Sequence, residues 1–157
     1  MKLMQITRMT CAMKNVFGCI ATPRKVIYHK YLNEAIVGIN KVLKPNLNVV
    51  DGLVGLGNYP ARLNLIMAGP DTFSTDWVAA QVMGFNPNRL KFLRIAEKEK
   101  LGKGSSVGYV GEDPKLYRDK FPNHSIIPTE HLWSLEIGLL RLYARIVNDV
   151  LPPFIRE

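Results

Sequence analysis

The stretch VVDGLVGLGNYP, residues 49–60, says most about the fold. It opens with two valines, passes through three glycines and ends in Tyr59-Pro60, which does not open a helix. This composition predicts a strand that begins near Asn48 and runs into a glycine-rich loop. A second apolar run, Leu63–Ala68, has the length of a strand that is buried on both faces.

The segments around this stretch predict an alternation of helices and strands. Apolar spacing and end signals place helices at residues 6–17, 31–43, 71–83, 86–100 and 129–150, and a short strand at residues 106–110. Alternating elements of this kind predict an α/β fold with a mixed or mostly parallel sheet covered by helices. No repeat or linker divides the sequence, so residues 1–157 are predicted to form a single domain.

Composition narrows the class of protein. Apolar residues make up 47% and charged residues 22%, as in ordinary globular proteins. No apolar run approaches the roughly 18 residues of a membrane span, and the N-terminus lacks a signal peptide's apolar segment, so a cytoplasmic protein is expected. Cys11 and Cys19 are too few to ligate an iron–sulfur cluster alone, and both are expected to be buried apolar residues.

The net charge of +8 is concentrated near the N-terminus, where no acid precedes Glu34. A basic region of this kind favours an anionic partner such as a small molecule, although a solvated basic surface is the ordinary alternative. Nucleic acid is an unlikely partner because no Arg/Lys-dense run with interleaved aromatic residues is present.

The glycine-rich stretch leaves two interpretations open. Its order, G-x-x-G-x-G, is not the dinucleotide fingerprint, and no Gly-Lys-Ser/Thr follows for a P-loop. Backbone N–H groups of Gly55 and Gly57 would either bind a ligand or serve only the geometry of the loop. Asp51 is expected at the end of its strand, and Asp51 with Asp76 could hold a divalent cation such as Mg²⁺. Asp71 is predicted to cap a helix.

Three segments together resemble the domain-of-unknown-function-362 family: AMKNVFG at residues 12–18, VVDGLVGLGNYP at residues 49–60, and IMAGPDTFSTDWVAAQVMGFNPNRLKFL at residues 66–93. The resemblance spans about residues 2–101. It implies a candidate ligand-binding site. It also implies an association with redox proteins, since members are often fused to ferredoxin-like iron–sulfur modules. The polar positions that match the family pattern are Lys14, Asn15, Asp51, Asn58, Asp71 and Asp76.

Two departures from the family pattern weaken the case for catalysis. A His expected near Lys2-Leu3-Met4 is absent, and no Glu precedes Gly57 in the glycine-rich stretch. Both are residue types suited to metal ligation or proton transfer. The chain also lacks part of the family domain, so a homo-oligomer or a partner chain is expected to complete it.

These observations leave three functions open, without deciding whether the chain is an enzyme. The first is a ligand-binding or redox-associated protein. The second is a metal-dependent enzyme acting on an anionic small molecule. The third is a nucleic-acid-binding accessory protein, whose binding would weaken steeply with salt.

Overall fold

The computed structural model describes residues 1–22 and 25–122 and the single helical positions 139, 142 and 146. The predicted closing helix at residues 129–150 otherwise lies outside the described residues. The strands are β1 (Lys2–Met4), β2 (Arg8–Thr10), β3 (Asn48–Leu56) and β4 (Pro60–Gly69). The α-helices are α1 (Ala12–Val16), α2 (Leu32–Val42), α3 (Thr72–Val82) and α4 (Lys91–Lys98). Short 3₁₀ helices lie at Phe17–Cys19, Lys25–Tyr31, Pro87–Arg89, Gly104–Ser106 and Pro114–Tyr117.

The four strands form one mixed sheet in the order β2-β1-β3-β4. Only β1 and β3 are parallel, and they meet at Lys2 and Leu56. The other neighbours, β1–β2 and β3–β4, are antiparallel. This arrangement confirms the predicted α/β fold with a mixed sheet. A mostly parallel sheet is excluded for the described strands, because β3 and β4 form a hairpin without a helix between them.

The predicted glycine-rich loop starts later than expected, because β3 continues through Gly52 and Gly55 to Leu56 and only Gly57 lies in the turn before β4. The glycines allow close packing of the strand. A Cβ on Gly52 would lie 2.8 Å from the carbonyl oxygen of Leu65, and one on Gly55 would lie 2.8 Å from the Phe121 ring. The sequence predicted Asp51 at the end of its strand. The structure places Asp51 within β3.

A β-bulge interrupts the β3–β4 hairpin. Gly52 pairs with Leu65 while Val54 pairs with Arg62, so two residues of β4 oppose one residue of β3. Asn64, in the bulge, has a φ of 54°, a left-handed conformation that Asn tolerates better than most residues. A bulge of this kind bends the strand and increases its local twist.

The helices cover one face of the β3–β4 hairpin. Val50 and Leu63 are buried on that face, whereas Val49 and Ile66 on the other face are 66% and 68% exposed. The prediction of strands buried on both faces is therefore wrong for this hairpin. The core beneath it is built around α3, of which Phe73, Ala79, Ala80 and Val82 are almost fully buried.

The helix predicted at residues 6–17 is wrong over residues 6–11 and is confirmed over residues 12–16. Arg8 has a φ of 64°, which a helix does not accommodate, and the hydroxyl of Thr7 donates to the carbonyl of Met9 at 2.8 Å. This segment forms β2 and a turn instead, and α1 begins only at Ala12. Of the two cysteines predicted to be buried, Cys11 is buried and Cys19 is exposed.

The middle of the chain follows the sequence more closely. The helix predicted at residues 31–43 is α2, and the one at residues 71–83 is α3, with Asp71 accepting from the N–H of Ser74 at 2.7 Å as its cap. The helix predicted at residues 86–100 is split into a 3₁₀ turn and α4.

The predicted strand at residues 106–110 does not form, and 3₁₀ geometry at Gly104–Ser106 ends just as it would begin. No helix in the described part of the chain is long and apolar enough to cross a membrane.

Candidate functional site

Asp76 is the most deeply buried charged residue of the candidate set, and its carboxylate caps α1. Oδ1 accepts from the N–H of Ala12 at 2.6 Å, and Oδ2 accepts from the N–H of Met13 at 3.1 Å. The first N–H groups of a helix have no partner within the helix, and Cys11, the residue before α1, does not cap it with its side chain. Asp76 therefore supplies from α3 the cap that the local sequence lacks.

Burial dominates the protonation chemistry of Asp76 and Cys11. It raises the pKa of Asp76 to about 7, against the opposing effect of the Ala12 and Met13 N–H groups and of a hydrogen bond from Cys11. Burial, followed by the charge of Asp76, raises the pKa of the Cys11 thiol far above its ordinary value. Cys11 is therefore a thiol and not a reactive thiolate.

A groove of about 550 Å³ lies between α1, the N-terminal strand and the edge of β3 that faces away from β4. This α1–β3 groove contains two of the predicted site residues, Asn15 and Asp51. Sequence reasoning missed three other polar residues that line it, Lys2, Thr10 and Asn48. Its remaining lining includes Cys11, Val16, Pro45, Leu47 and Val54.

Thr10 lines the groove, and its side-chain hydroxyl is buried. Its Oγ1 is shielded from solvent and has no hydrogen-bond partner among the described residues. A buried polar group left without a partner costs about 1–3 kcal/mol, so its retention calls for an explanation. No signal in the sequence identifies Thr10. The apolar pattern predicts that this residue lies in a helix, whereas it lies in β2.

Lys2 lines the groove and interacts electrostatically with Lys14, which does not line it. Burial and the nearby charge of Lys2 lower the pKa of Lys14, which is half-buried on α1. Burial and the charge of Lys14 in turn lower the pKa of His29. No carboxylate in the described ranges forms an ion pair with Lys2 or Lys14. Lys2 and Lys14 therefore form a pair of neighbouring positive charges, and the groove that Lys2 lines also contains the carboxylate of Asp51.

Asp51 is exposed, and its Oδ1 accepts from the N–H of Leu53 two residues further along β3. Asp76, the other proposed cation ligand, is fully buried with both oxygens bonded to backbone N–H groups. Within residues 1–22 and 25–122, no group of three or more His, Cys, Asp or Glu side chains is arranged to hold a metal ion. A cation shared by Asp51 and Asp76 stays a hypothesis without support from this geometry.

The glycine end of the hairpin packs against residues 121–122. The N–H of Gly57 donates to the carbonyl of Tyr59 at 3.3 Å, and the N–H of Asn58 donates to the carbonyl of Pro122 at 2.9 Å. A Cβ on Gly57 would lie 2.1 Å from that carbonyl oxygen. Close packing therefore requires glycine at positions 55 and 57, and neither these glycines nor Asn58 line the α1–β3 groove.

Asn40 is a further residue that sequence reasoning missed. Its side chain donates to the carbonyls of Met13 and Ile36 at 2.9 and 2.8 Å and accepts from the hydroxyl of Thr72 at 2.8 Å. Asn40 therefore joins α1, α2 and α3 through one buried amide. The sequence signal that could have identified Asn40 is a polar residue on the apolar face of an amphipathic helix, because such a residue needs buried hydrogen-bond partners.

Comparisons with known proteins confirm the family resemblance. The family model described as "Domain of unknown function (DUF362)" matches residues 1–81, just over half of the chain. The chain therefore belongs to that family. It is also similar to a thylakoid-associated protein of Synechocystis sp., with 24% identity over 162 residues that cover 95% of this chain and 50% of that protein. The chain thus spans about half the length of this curated relative. No solved structure matches.

Proposed function

We propose that this member of the DUF362 family is a binding protein that holds an anionic small molecule in the α1–β3 groove. The observation that carries the proposal is Thr10, which lines the groove together with Lys2 and Asn15 and whose buried hydroxyl has no hydrogen-bond partner within the described part of the chain. Rotation of the Thr10 side chain towards the groove would let this hydroxyl bond to a ligand, and that bond would offset the cost of burying it.

The charge of the groove supports an anionic ligand. Lys2 lines the groove, and the lowered pKa of Lys14 reflects both its burial and the proximity of Lys2. A phosphate or carboxylate group placed between these two ammonium groups would relieve their mutual repulsion. Binding of an anion should therefore raise the pKa of Lys14 towards its ordinary value.

The remainder of the groove supports a ligand with a polar body. Asn15, Asn48 and Asp51 provide amide donors and carboxylate or carbonyl acceptors. Val16 and Leu47 provide apolar walls. A mostly apolar cleft with a few well-placed polar groups is typical of a small-molecule site. A phosphorylated or carboxylated molecule with hydroxyl groups matches this lining.

The state of Asp76 supports binding in preference to proton transfer. Its pKa of about 7 would suit a general base, but both of its oxygens already accept from backbone N–H groups and its side chain is fully buried. It does not line the groove. The residue best tuned for acid–base chemistry is therefore committed to holding α1 in place.

Thermal unfolding of the purified chain with added ligands tests this proposal. The probes are inorganic phosphate, adenosine triphosphate and citrate, each with and without Mg²⁺. At a hundredfold excess over its dissociation constant, a bound ligand stabilises the fold by about 2.7 kcal/mol, which raises the melting temperature by several degrees. The pairs with and without Mg²⁺ show whether a divalent cation takes part.

Two variants make the test specific. Thr10→Val keeps the shape of the side chain and removes the unpaired hydroxyl, so it should leave the free protein as stable or more stable while reducing the ligand-induced shift. Lys2→Met should also reduce the shift, whereas Lys103→Met, an exposed control outside the groove, should not. No shift with any probe, or equal shifts in all variants, would refute binding in this groove.

A further inference from the structure

The two edges of the sheet differ in how they are protected from pairing with other strands. One edge is β2, which has only three residues and carries Arg8 in a left-handed conformation. Short, charged and irregular edges of this kind discourage further pairing. The other edge is β4, which has ten residues, and no strand among the described residues pairs with its outer side.

The β4 edge lacks the usual protective features over most of its length. Residues 63–69, LNLIMAG, contain no charged residue and no proline. The bulge at Asn64 twists the strand near the beginning of this run but leaves Leu65–Gly69 regular. A long uncharged edge strand is a template for pairing with another chain.

The surroundings of this edge are open and weakly charged. A groove of about 730 Å³ runs along it, bordered by Ser74 and Val78 of α3 and by the segment Gly108–Glu112. Within that segment Val110 is fully exposed, and a Cβ on Gly108 or Gly111 would meet no other atom within 4 Å. The segment thus borders the β4 edge without pairing with it.

We propose that the β4 edge pairs with the β4 edge of a second copy of this chain. The uncharged run is centred on Ile66, and antiparallel pairing of two copies about that residue superimposes the whole run on itself. Leu65 then opposes Met67 of the second copy, so the helix-covered faces of both sheets remain on the same side. The two hairpins would form one continuous sheet with an isologous interface.

Charge at the ends of the run supports this register. Arg62 is the one charged residue of β4, and in the pairing centred on Ile66 it lies opposite Pro70 of the second copy. That position is adjacent to Asp71. The twofold symmetry therefore places an arginine near an aspartate at both ends of the paired strands, which favours antiparallel pairing in this register.

The test measures the mass of the chain in solution by light scattering on a sizing column over a wide range of concentrations. The expected mass is twice the 17.7 kDa of the single chain. Ile66→Lys should give the monomer mass, because it places two like charges opposite each other at the twofold axis. Ala68→Lys, on the same exposed edge strand, serves as a second variant.

Val49→Lys is the matched control. Val49 pairs with Ala68, lies on the same exposed face and is exposed to the same extent as Ile66, but it belongs to β3, which lies on the side of β4 away from the proposed interface. Val49→Lys adds the same charge away from the β4 edge, so this variant should remain a dimer. A wild-type monomer at every concentration would overturn the proposal. A dimer that Val49→Lys disrupts as strongly as Ile66→Lys would also overturn it, because that outcome indicates packing of the sheet faces.

Discussion

The Oδ1 atom of Asp76 lies 2.6 Å from the backbone nitrogen of Ala12, although the two residues are 64 positions apart. This contact joins the central helix α3 to the beginning of α1. It positions the segment that carries Thr10, Cys11 and Asn15 along the α1–β3 groove. The stability of the groove therefore depends on a buried carboxylate that is not itself part of its lining.

Replacing Asp76 by alanine should destabilise the fold substantially. The change leaves the N–H groups of Ala12 and Met13 buried without acceptors, and each such group costs about 1–3 kcal/mol. We expect a loss of roughly 3 kcal/mol in the free energy of unfolding, measured by urea denaturation. Asp71→Ala, which removes a less buried cap, should cost only about 1 kcal/mol. Equal losses in both variants would contradict the special role of Asp76.

Stability should fall as pH rises through the range set by Asp76. Its pKa is about 7 in the folded chain against an ordinary value of 3.8, so between these values the folded state binds more protons than the unfolded state. The contribution of the protonated carboxyl is fully present below about pH 4 and is lost as pH rises through 7. A shift of this size corresponds to roughly 4 kcal/mol.

The pH dependence is measured by urea denaturation at intervals from pH 5 to pH 8 for the wild type and for Asp76→Asn. The asparagine variant cannot titrate at this position, so the difference between the two curves isolates Asp76 from groups such as His29, whose lowered pKa acts in the opposite direction. Parallel curves for the two proteins would show that Asp76 is not the titrating group.

Substitution of Asn40 should uncouple the three helices that it joins. Asn40→Ala removes hydrogen bonds to Met13, Ile36 and Thr72 and leaves the Thr72 hydroxyl without this acceptor. We expect a loss of about 2–4 kcal/mol in the free energy of unfolding. Asn88→Ala, at an exposed position, is the control and should change stability by less than about 0.5 kcal/mol. A comparable loss in both variants would contradict the prediction.

Two glycines near the C-terminal end of the described region should respond differently to alanine. A Cβ on Gly104 would lie 2.0 Å from the ring of Trp77, so Gly104→Ala should cost about 1–3 kcal/mol through overpacking. A Cβ on Gly108 meets nothing within 4 Å, so Gly108→Ala should be neutral or slightly stabilising. Thermal unfolding of both variants checks the difference, and a stable Gly104→Ala protein would show that Trp77 can move aside.

Local signals in the sequence predicted the helices well where capping and apolar spacing agreed. Asp71 and Gly84 bound α3 as expected, with Gly84 at a φ of 77°, and α2 follows its apolar period to within a residue or two. These features depend on contacts between residues a few positions apart. The same is true of the Asn86 side chain, which accepts from the N–H of Asn88.

The segment around residues 6–17 shows where local signals failed. Its apolar content favoured a helix, but Arg8 at a positive φ and pairing with β1 produce a strand instead. Residues 106–110 had the composition of a strand and form none, since no neighbouring strand pairs with them among the described residues. Strand pairing joins distant segments, so composition alone does not determine it.

The sequence by itself determined the α/β class, the family and the positions of α2 and α3, because periodicity, capping and motif order are local properties. Only the tertiary structure decided what the stretch at residues 49–60 does. Gly52 and Gly55 lie within β3 and Gly57 just after it, and Leu65, Phe121 and Pro122 approach these positions too closely for any side chain. Tertiary packing also separated the candidate residues, directing Asp76 to the cap of α1 while Asn15 and Asp51 line the groove. Burial and long-range hydrogen bonding, which no short stretch of sequence encodes, determine which of these residues line the groove and which do not.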